Sequence, residues 1–233
     1  MAVLDDPVGH ALRGPHAHLA RRRGSALGYH PDVSTFLAVP HDPTAAAWAD
    51  LAALVGPGAV ADLFSATATP PPTWTDVFAM DGVQLVGPTA GLARRDDGAV
   101  VELGAADVPA MLALARATRP GPFWERTRLM GTYLGIRDPS GRLVAMAGER
   151  LHPPGWTEVS AVCTTPEHRG RGLAARLVEE VAARVLERGE RPFLHARRDN
   201  AGALRVYERL GFEVRREVTF RGFRTPADPT GPA

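Results

Sequence analysis

The sequence contains no lysine and only one cysteine, Cys163. All 27 basic residues are therefore arginines, and together with the many alanines and prolines they indicate GC-rich coding. The protein offers no lysine amine of its own for modification. A single cysteine excludes an intramolecular disulfide, and a reducing cytoplasm is the simplest compartment for such a chain.

Long apolar runs and an excess of one charge are also missing. No stretch reaches the about 18 apolar residues of a transmembrane helix, and residues 1–14 lack the basic start and apolar block of a signal peptide. The formal charge of +1 gives no electrostatic argument for nucleic acid or anionic membranes. We expect a cytoplasmic protein that has neither of these as a partner.

Length and local composition predict how the chain is organised. Its 233 residues allow one large domain or two small ones, and a hydrophobic content of 45% permits a sizeable core. A polar, glycine-containing segment predicts a linker, and the expected divisions are an N-terminal α/β region at 1–90, a linker at 91–98, a second domain at 99–225 and a disordered tail at 226–233. We expect residues 95–233 produced alone to retain some ligand binding but to be less soluble, because a packed apolar face becomes exposed. Asp81-Gly82 predicts a hairpin turn.

The segment RGRG at 169–172 lies between a β-type run and a long amphipathic helix. The helix is predicted by apolar residues at four-residue steps, namely Leu173, Leu177, Val181 and Val185. Unpaired N–H groups and the helix dipole attract anions to a helix start. Glycines allow a close backbone approach, and arginines add charge-assisted hydrogen bonds. The pattern therefore predicts a phosphate-bearing ligand.

A dinucleotide site is one candidate for this ligand, because Gly170, Gly172 and Ala175 match G-x-G-x-x-A. In a Rossmann unit, however, the glycines follow the strand almost at once, whereas TPEHR intervenes here. The acidic residue expected about 20 positions later is also missing, since the next strand ends in Arg197-Arg198. A nicotinamide-dependent reductase remains the alternative enzyme.

Two motifs together resemble a family. RGRGLA at 169–174 fits the R/Q-x-x-G-x-G/A signature of the GNAT superfamily, the acetyl-CoA-dependent N-acetyltransferases. NAGALRVYERLGFE at 200–213 matches the later segment, in which Asn is followed seven residues on by Tyr and then by Leu-Gly-Phe. The motifs occur in the order of the family with a strand between them, and the resemblance covers about 99–223.

The resemblance implies an α/β (α+β) GNAT fold, in which a mixed, twisted sheet is flanked by helices. Its fourth and fifth strands, at about 156–164 and 192–198, are expected to splay apart. The N-terminal region has a strand–helix–strand–hairpin order without a glycine loop. We interpret it as a degenerate copy of half of the same fold, packed against the GNAT acetyltransferase domain at 99–225.

Acetyl-CoA is the co-substrate that the resemblance implies. Its pyrophosphate would bind the glycine loop, and its pantetheine arm would lie between the splayed strands. The expected cofactor-binding residues are Val162, Cys163, Thr164, Arg169, Gly170, Arg171, Gly172, Leu173, Ala174, Asn200 and Tyr207. A CoA-binding sensor that has lost turnover is the non-enzymatic alternative.

An amine acceptor must lose a proton before it attacks a thioester, since an alkylammonium has a pKa of about 10. Glu158, eleven residues before Arg169, matches a general base of some family members; Glu149 or a water is the alternative. Strand alternation places Glu158, Ser160 and Val162 on one face. Tyr207 matches the tyrosine that assists departure of the thiolate, and Asn200 is expected to cap its helix as well.

Other reactive side chains receive structural interpretations. Cys163 lies in an apolar strand and is expected to be a core residue, and His168 is expected to pack in the phosphate loop. His152 and His195 have no partner at metal-ligand spacing, so we expect no metal site. The expected partner is a small-molecule or peptide amine. The sequence does not identify this amine, because acceptor residues lie on variable loops. A homodimer is left open as the oligomeric state.

Overall fold

The computed structural model describes residues 2–64, 66–95 and 98–227. Parts of two predicted segments, 96–97 of the linker and 228–233 of the tail, lie outside the described residues. The α-helices are α1 (Pro7–Arg13), α2 (Ala45–Val55), α3 (Val108–Thr118), α4 (Leu173–Glu187) and α5 (Ala201–Arg209). Within the described ranges, none of the helices is long and apolar enough to cross a membrane.

The strands form two sheets. The smaller sheet is antiparallel and has the order β1 (Ala20–Arg23), β2 (Ala26–Tyr29), β3 (Leu37–Ala38). The strands of the larger sheet are β4 (Val60–Leu63), β5 (Thr75–Val86), β6 (Val101–Glu102), β7 (Tyr133–Arg137), β8 (Leu143–Glu149), β9 (Trp156–Thr164), β10 (Arg191–Arg197) and β11 (Glu213–Arg224). They are ordered β4-β11-β5-β10-β9-β8-β7-β6. Because β9 and β10 are parallel and the other pairs antiparallel, the predicted mixed sheet is confirmed.

Strand β5 is continuous, so the predicted hairpin at Asp81-Gly82 is wrong. Both residues pair with β11, opposite Thr219 and Val218, in the middle of the strand. The glycine is needed there for close packing, since a Cβ on Gly82 would lie 2.4 Å from the Phe220 ring. Gly82 therefore leaves room for the Phe220 ring to pack against the strand, at a position where the sequence pattern indicated a turn.

The larger sheet joins the two halves of the sequence. Strand β5, from the N-terminal region, lies between β10 and β11, and β11 pairs with no strands other than β4 and β5 among the described residues. The predicted division between 1–90 and 99–225 therefore does not coincide with a division of the sheet. The expectation that 95–233 functions alone conflicts with this topology, because that fragment lacks both neighbours of its last strand.

Helices α4 and α5 cover one face of the large sheet. The buried residues Leu177, Val178 and Val181 of α4 pack with Val83 and Leu85 of β5 in one apolar cluster. The predicted helix is confirmed, and its apolar stripe follows from the four-residue spacing. This packing fixes the start of α4 beside the ends of β9 and β10, where the candidate site lies.

Candidate active site

The glycine loop ends in an uncapped helix start. Gly170 and Gly172 both have φ of +76°, in the left-handed region that favours glycine. Gly172 is the N-cap residue of α4, and no side chain accepts a hydrogen bond from the helix start. The loop therefore leaves backbone donors available to an anion at the positive end of a 15-residue helix.

Strands β9 and β10 separate beside this loop. They pair only at their starts, from Arg191 opposite Trp156 to Phe193 opposite Glu158. Beyond that point a cavity of about 1050 Å³ opens between them. Its lining includes most of the predicted cofactor-binding residues: Val162, Cys163, Thr164, Arg169, Gly170, Gly172, Leu173, Ala174, Asn200 and Tyr207. Arg171 is not in this lining; it lies in the loop with an exposed side chain.

A bulge in β9 changes which side chains share a face. Met146 lies opposite Cys163, but Gly148 lies opposite Ser160, so β9 carries an additional residue there. Ala161 has a φ of +53° at this point. Val162 consequently packs against the α4 cluster, whereas Cys163 packs in the cluster with α3. The expectation that Val162 shares a face with Ser160 by simple alternation is therefore wrong.

Asn200 and Tyr207 bring the start of α5 to the same cavity. The Asn200 side chain accepts a hydrogen bond of 3.2 Å from the Ala203 N–H, which is the predicted cap. Tyr207 is buried, and burial raises the pKa of its hydroxyl to about 12. Among the described residues this hydroxyl has no recorded hydrogen-bond partner, and the residue lines the cavity. It is a protonated phenol at neutral pH.

Glu158 is placed differently from what a general base requires. Its side chain is fully buried and lies outside the cavity lining. Arg150 donates two hydrogen bonds to it, at 2.8 and 2.6 Å. Burial alone would raise the pKa of Glu158, but the charge and hydrogen bonds of Arg150, with a further bond from His195, lower it to about 2. A carboxylate held in this way is a weak base at neutral pH.

Glu149 also lies outside the cavity lining. It accepts hydrogen bonds from Arg188, at 2.7 Å, and from the Thr132 N–H, at 3.1 Å. His152 lies 3.7 Å from the same carboxylate. These contacts give each carboxylate oxygen a hydrogen-bond donor.

His195 joins Glu158 to the cavity in a defined tautomer. Its Nδ1 lies 2.6 Å from Glu158 Oε1, and its Nε2 lies 3.1 Å from Gln84 Nε2. Because Gln84 Oε1 accepts from Arg215, its amide nitrogen must donate to the imidazole. The histidine therefore donates from Nδ1, and burial lowers its pKa against the opposing effect of Glu158. It is neutral, and it lines the cavity.

The inner end of the cavity contains residues that the sequence analysis missed. No chemical motif was found before residue 95, yet Asp62 and several aromatic side chains from that range line the cavity. Asp62 is 9% exposed, and burial raises its pKa to about 6. A carboxylate within the apolar strand VADLF was the signal in the sequence that could have identified this position.

The remaining reactive side chains are accounted for within the described residues. Cys163 is buried in the α3 cluster, as predicted, and burial raises its pKa to about 11. His168 lies in the loop and shares a 2.9 Å hydrogen bond with the Thr165 hydroxyl. In the described ranges no group of three His, Cys, Asp or Glu side chains is arranged to hold a metal ion.

Comparison with known proteins agrees with this geometry. The chain is 40% identical to an acetyltransferase of the GNAT family from Novosphingobium aromaticivorans DSM 12444, known from a crystal structure, with a TM-score of 0.86. The match covers 96% of this chain and 98% of that one. The chain belongs to the GNAT family. The predicted resemblance is thereby confirmed, and the match extends over the N-terminal residues as well.

Other matches cover a smaller part of the chain. The family described as FR47-like protein matches residues 133–221. Mycothiol acetyltransferase from Mycobacterium sp. (strain JLS) is 34% identical over 89 residues, which is 36% of this chain and 30% of that protein. The N-alpha-acetyltransferase RimI of Mycobacterium tuberculosis is 38% identical over 84 residues, 35% of this chain and 51% of that protein. The matches thus span about a third to a half of the length of these relatives.

Proposed function

We propose that this GNAT protein transfers an acetyl group from acetyl-CoA to a primary amine. One observation supports this more than any other: a single cavity connects the uncapped, glycine-rich start of α4 with the Tyr207 phenol. The helix start suits the pyrophosphate of coenzyme A. The pantetheine arm is proposed to lie between β9 and β10, where Val162 and Thr164 line the cavity.

The proposed reaction is direct attack. The nitrogen lone pair of the amine attacks the thioester carbonyl, a C–N bond forms, and the tetrahedral intermediate expels the CoA thiolate. Tyr207 is the proposed proton donor to that thiolate. Burial keeps its hydroxyl protonated, and no described residue forms a hydrogen bond with it. The nitrogen of the tetrahedral intermediate carries one proton more than the amide product, and this additional proton replaces the one that the phenol gives up, so the step balances.

Glu158 takes a positioning role in this proposal. Its carboxylate holds the Arg150 guanidinium and the Nδ1–H of His195, and both of these residues line the cavity. Removing it would leave a buried arginine without its partner, which is strongly destabilising. Its loss is therefore expected to damage folding before it reveals anything about proton transfer.

The test of the proposed function is ligand-dependent stability. A ligand that binds only the folded state stabilises it by about 2.7 kcal/mol at a hundredfold excess over Kd. In a chain of this length that is roughly 5–10 °C in Tm. We expect a shift of this size with acetyl-CoA and none with NADH or NADPH. A larger shift with a nicotinamide cofactor would contradict the proposal and favour a reductase.

Turnover separates the enzyme from a sensor. Acetyl-CoA is incubated with a panel of primary amines, and thiol release is measured. We expect release that depends on the amine. Tight acetyl-CoA binding without release for any amine in a broad panel would favour a non-catalytic CoA-binding protein.

A further inference from the structure

The inner end of the cavity is a chamber built on one face of the large sheet. Side chains at alternate positions of three neighbouring strands point to the same face. Asp62 and Gly222 are cross-strand neighbours, as are Gly222 and Phe78. The chamber is lined by Phe36, Asp62, Phe64, Phe78, Met80, Arg150, His195 and Phe220.

Aromatic rings make up most of the wall of this chamber. Phe64 stacks between Phe36, at 4.2 Å between ring centroids, and Phe220, at 4.9 Å. The Phe78 ring covers Gly222, where a Cβ would lie 2.1 Å from it, and Phe78 is only half-buried. A chamber of this composition favours an apolar or aromatic group in a ligand.

Asp62 is the one acidic group in this wall. Its Oδ2 accepts a 2.8 Å hydrogen bond from the Thr35 hydroxyl. Its Oδ1 has no hydrogen bond to any described residue. Asp62 lines the cavity, and this oxygen can accept a hydrogen bond from a ligand, so the site suits a ligand with an N–H donor.

The cations near Asp62 do not neutralise it directly. The Arg150 guanidinium lies 4.8 Å from the centre of the Phe64 ring and gives both of its short hydrogen bonds to Glu158. His195 lies against Phe64 and Phe220 and is neutral in the tautomer derived above. A positive charge from a ligand can therefore be accepted at Asp62.

We propose that this chamber is the acceptor subsite, that it binds a primary amine carried by an aromatic or branched apolar group, and that Asp62 accepts a proton from the bound ammonium. The inference deepens the proposed acetyl transfer and rests on it. It also gives a function to the N-terminal residues, which supply most of the chamber.

The proton balance follows from this arrangement. The ammonium gives one proton to the Asp62 carboxylate, the free amine attacks the thioester, and the protonated Asp62 loses its proton to water after the product leaves. Burial among the rings lowers the pKa of the ammonium, against the opposing effect of the Asp62 charge. Burial raises the pKa of Asp62 to about 6 against the opposing charge of Arg150, so the two values approach each other.

The first experiment tests which amine the chamber takes. With acetyl-CoA saturating, kcat/KM is measured for 2-phenylethylamine and for ethanolamine. We expect a preference of at least tenfold for 2-phenylethylamine, because its ring is removed from water. Phe78→Ala should raise KM for 2-phenylethylamine about tenfold and affect KM for ethanolamine much less. The matched control is Val77→Ala, a neighbour on β5 that is 43% exposed and absent from the chamber lining.

The second experiment tests Asp62 as the proton acceptor. Asp62→Asn retains the shape and an oxygen for the Thr35 hydroxyl but cannot accept the proton. We expect kcat with 2-phenylethylamine to fall by about 10²–10⁴, with the acetyl-CoA Kd within a few fold and Tm at pH 8 no lower than that of the wild type. Asp76→Asn, at an exposed position of β5, should have wild-type kinetics.

The outcomes separate the two proposals. Equal or better use of ethanolamine by the wild type, or near-normal kcat in Asp62→Asn, would overturn the acceptor subsite and leave acetyl transfer standing. Binding of acetyl-CoA with turnover of neither probe would also overturn the acceptor class. If Asp62→Asn does not fold, the Phe78→Ala and Val77→Ala pair decides. Failure of the wild type to bind acetyl-CoA would overturn the proposed function and the subsite with it.

Discussion

The two ends of the cavity are formed by different kinds of groups, backbone at one end and side chains at the other. At the outer end, backbone N–H groups and positive-φ glycines in a six-residue segment, 169–174, form the candidate phosphate site. At the inner end, side chains from positions as far apart as Phe36 and Phe220 form the chamber. The outer end therefore has a local sequence motif, whereas the inner end has none.

The difference explains why the first ninety residues showed no motif although they line the cavity. A backbone site needs particular residues at fixed spacing, because glycine adopts left-handed dihedral angles at much lower cost than other residues. A chamber needs only apolar side chains and one carboxylate on the correct face of each strand. Such positions become visible once the strand order is known.

The largest effect is expected when the N-terminal half of the chain is removed. Residues 95–233 lack β4 and β5, the strands on either side of β11, and β10 loses β5 as well. We expect this fragment to lack a cooperative thermal transition and to bind no acetyl-CoA. Calorimetry and far-UV circular dichroism of the fragment and the full chain provide the measurement. A fragment with a sharp transition and wild-type cofactor affinity would show that the halves are independent.

Tyr207→Phe tests the role of the hydroxyl that lies between the two ends of the cavity. The substitution retains the ring that packs beside Phe212, at 6.1 Å between centroids, and removes only the hydroxyl. If the phenol protonates the leaving thiolate, kcat should fall by about 10²–10⁴ while the acetyl-CoA Kd stays within a few fold. The measurement is steady-state kcat beside Kd for both proteins. A nearly unchanged kcat would remove Tyr207 from the mechanism and leave a water as the proton donor.

Gly172→Ala has a smaller expected effect, confined to the outer end. A Cβ there meets no protein atom within 4 Å, so it projects into open space beside the loop, where it would obstruct a phosphate. We expect the acetyl-CoA Kd to rise by about 10–100-fold, equivalent to about 1.4–2.8 kcal/mol. Gly189→Ala is the matched control, because Gly189 has a φ of +77°, equally open space and a position at the far end of α4.

Both glycine variants carry the same backbone strain, about 1 kcal/mol for a left-handed alanine. Their Tm values should therefore fall by similar amounts, and only Gly172→Ala should weaken cofactor binding. Equal Kd values in the two variants would mean that the loop is a structural turn and that the cofactor lies elsewhere.

The sequence was sufficient for those parts of the fold in which local signals and pairing agree. The spacing of Leu177 and Val181 predicted α4, and Asn200 predicted the start of α5, because helix faces and caps are local properties. The strands expected at 156–164 and 192–198 lie within one residue of β9 and β10. That expectation came from the family resemblance, which gave the long-range pairing that local signals lack.

The remaining features depended on contacts between distant segments. Asp81-Gly82 resembles a turn, but the ring of Phe220, 138 residues from Gly82 in the numbering, uses the space of its missing Cβ. Glu158 has the spacing of a general base, but Arg150 and His195 hold it in a buried network that spacing does not reveal. Asp62 was missed for the same reason, since its surroundings come from other strands.

We propose that one cavity has a cofactor end and an acceptor end, and that substitutions at the two ends change different quantities, the cofactor Kd at one end and kcat at the other. The most direct test measures the acetyl-CoA Kd and the kcat with 2-phenylethylamine in Gly172→Ala and Asp62→Asn side by side. We expect a 10–100-fold weaker Kd in the glycine variant alone and a 10²–10⁴-fold lower kcat at saturating acetyl-CoA in the aspartate variant alone. A cofactor Kd weakened equally in both variants would contradict it.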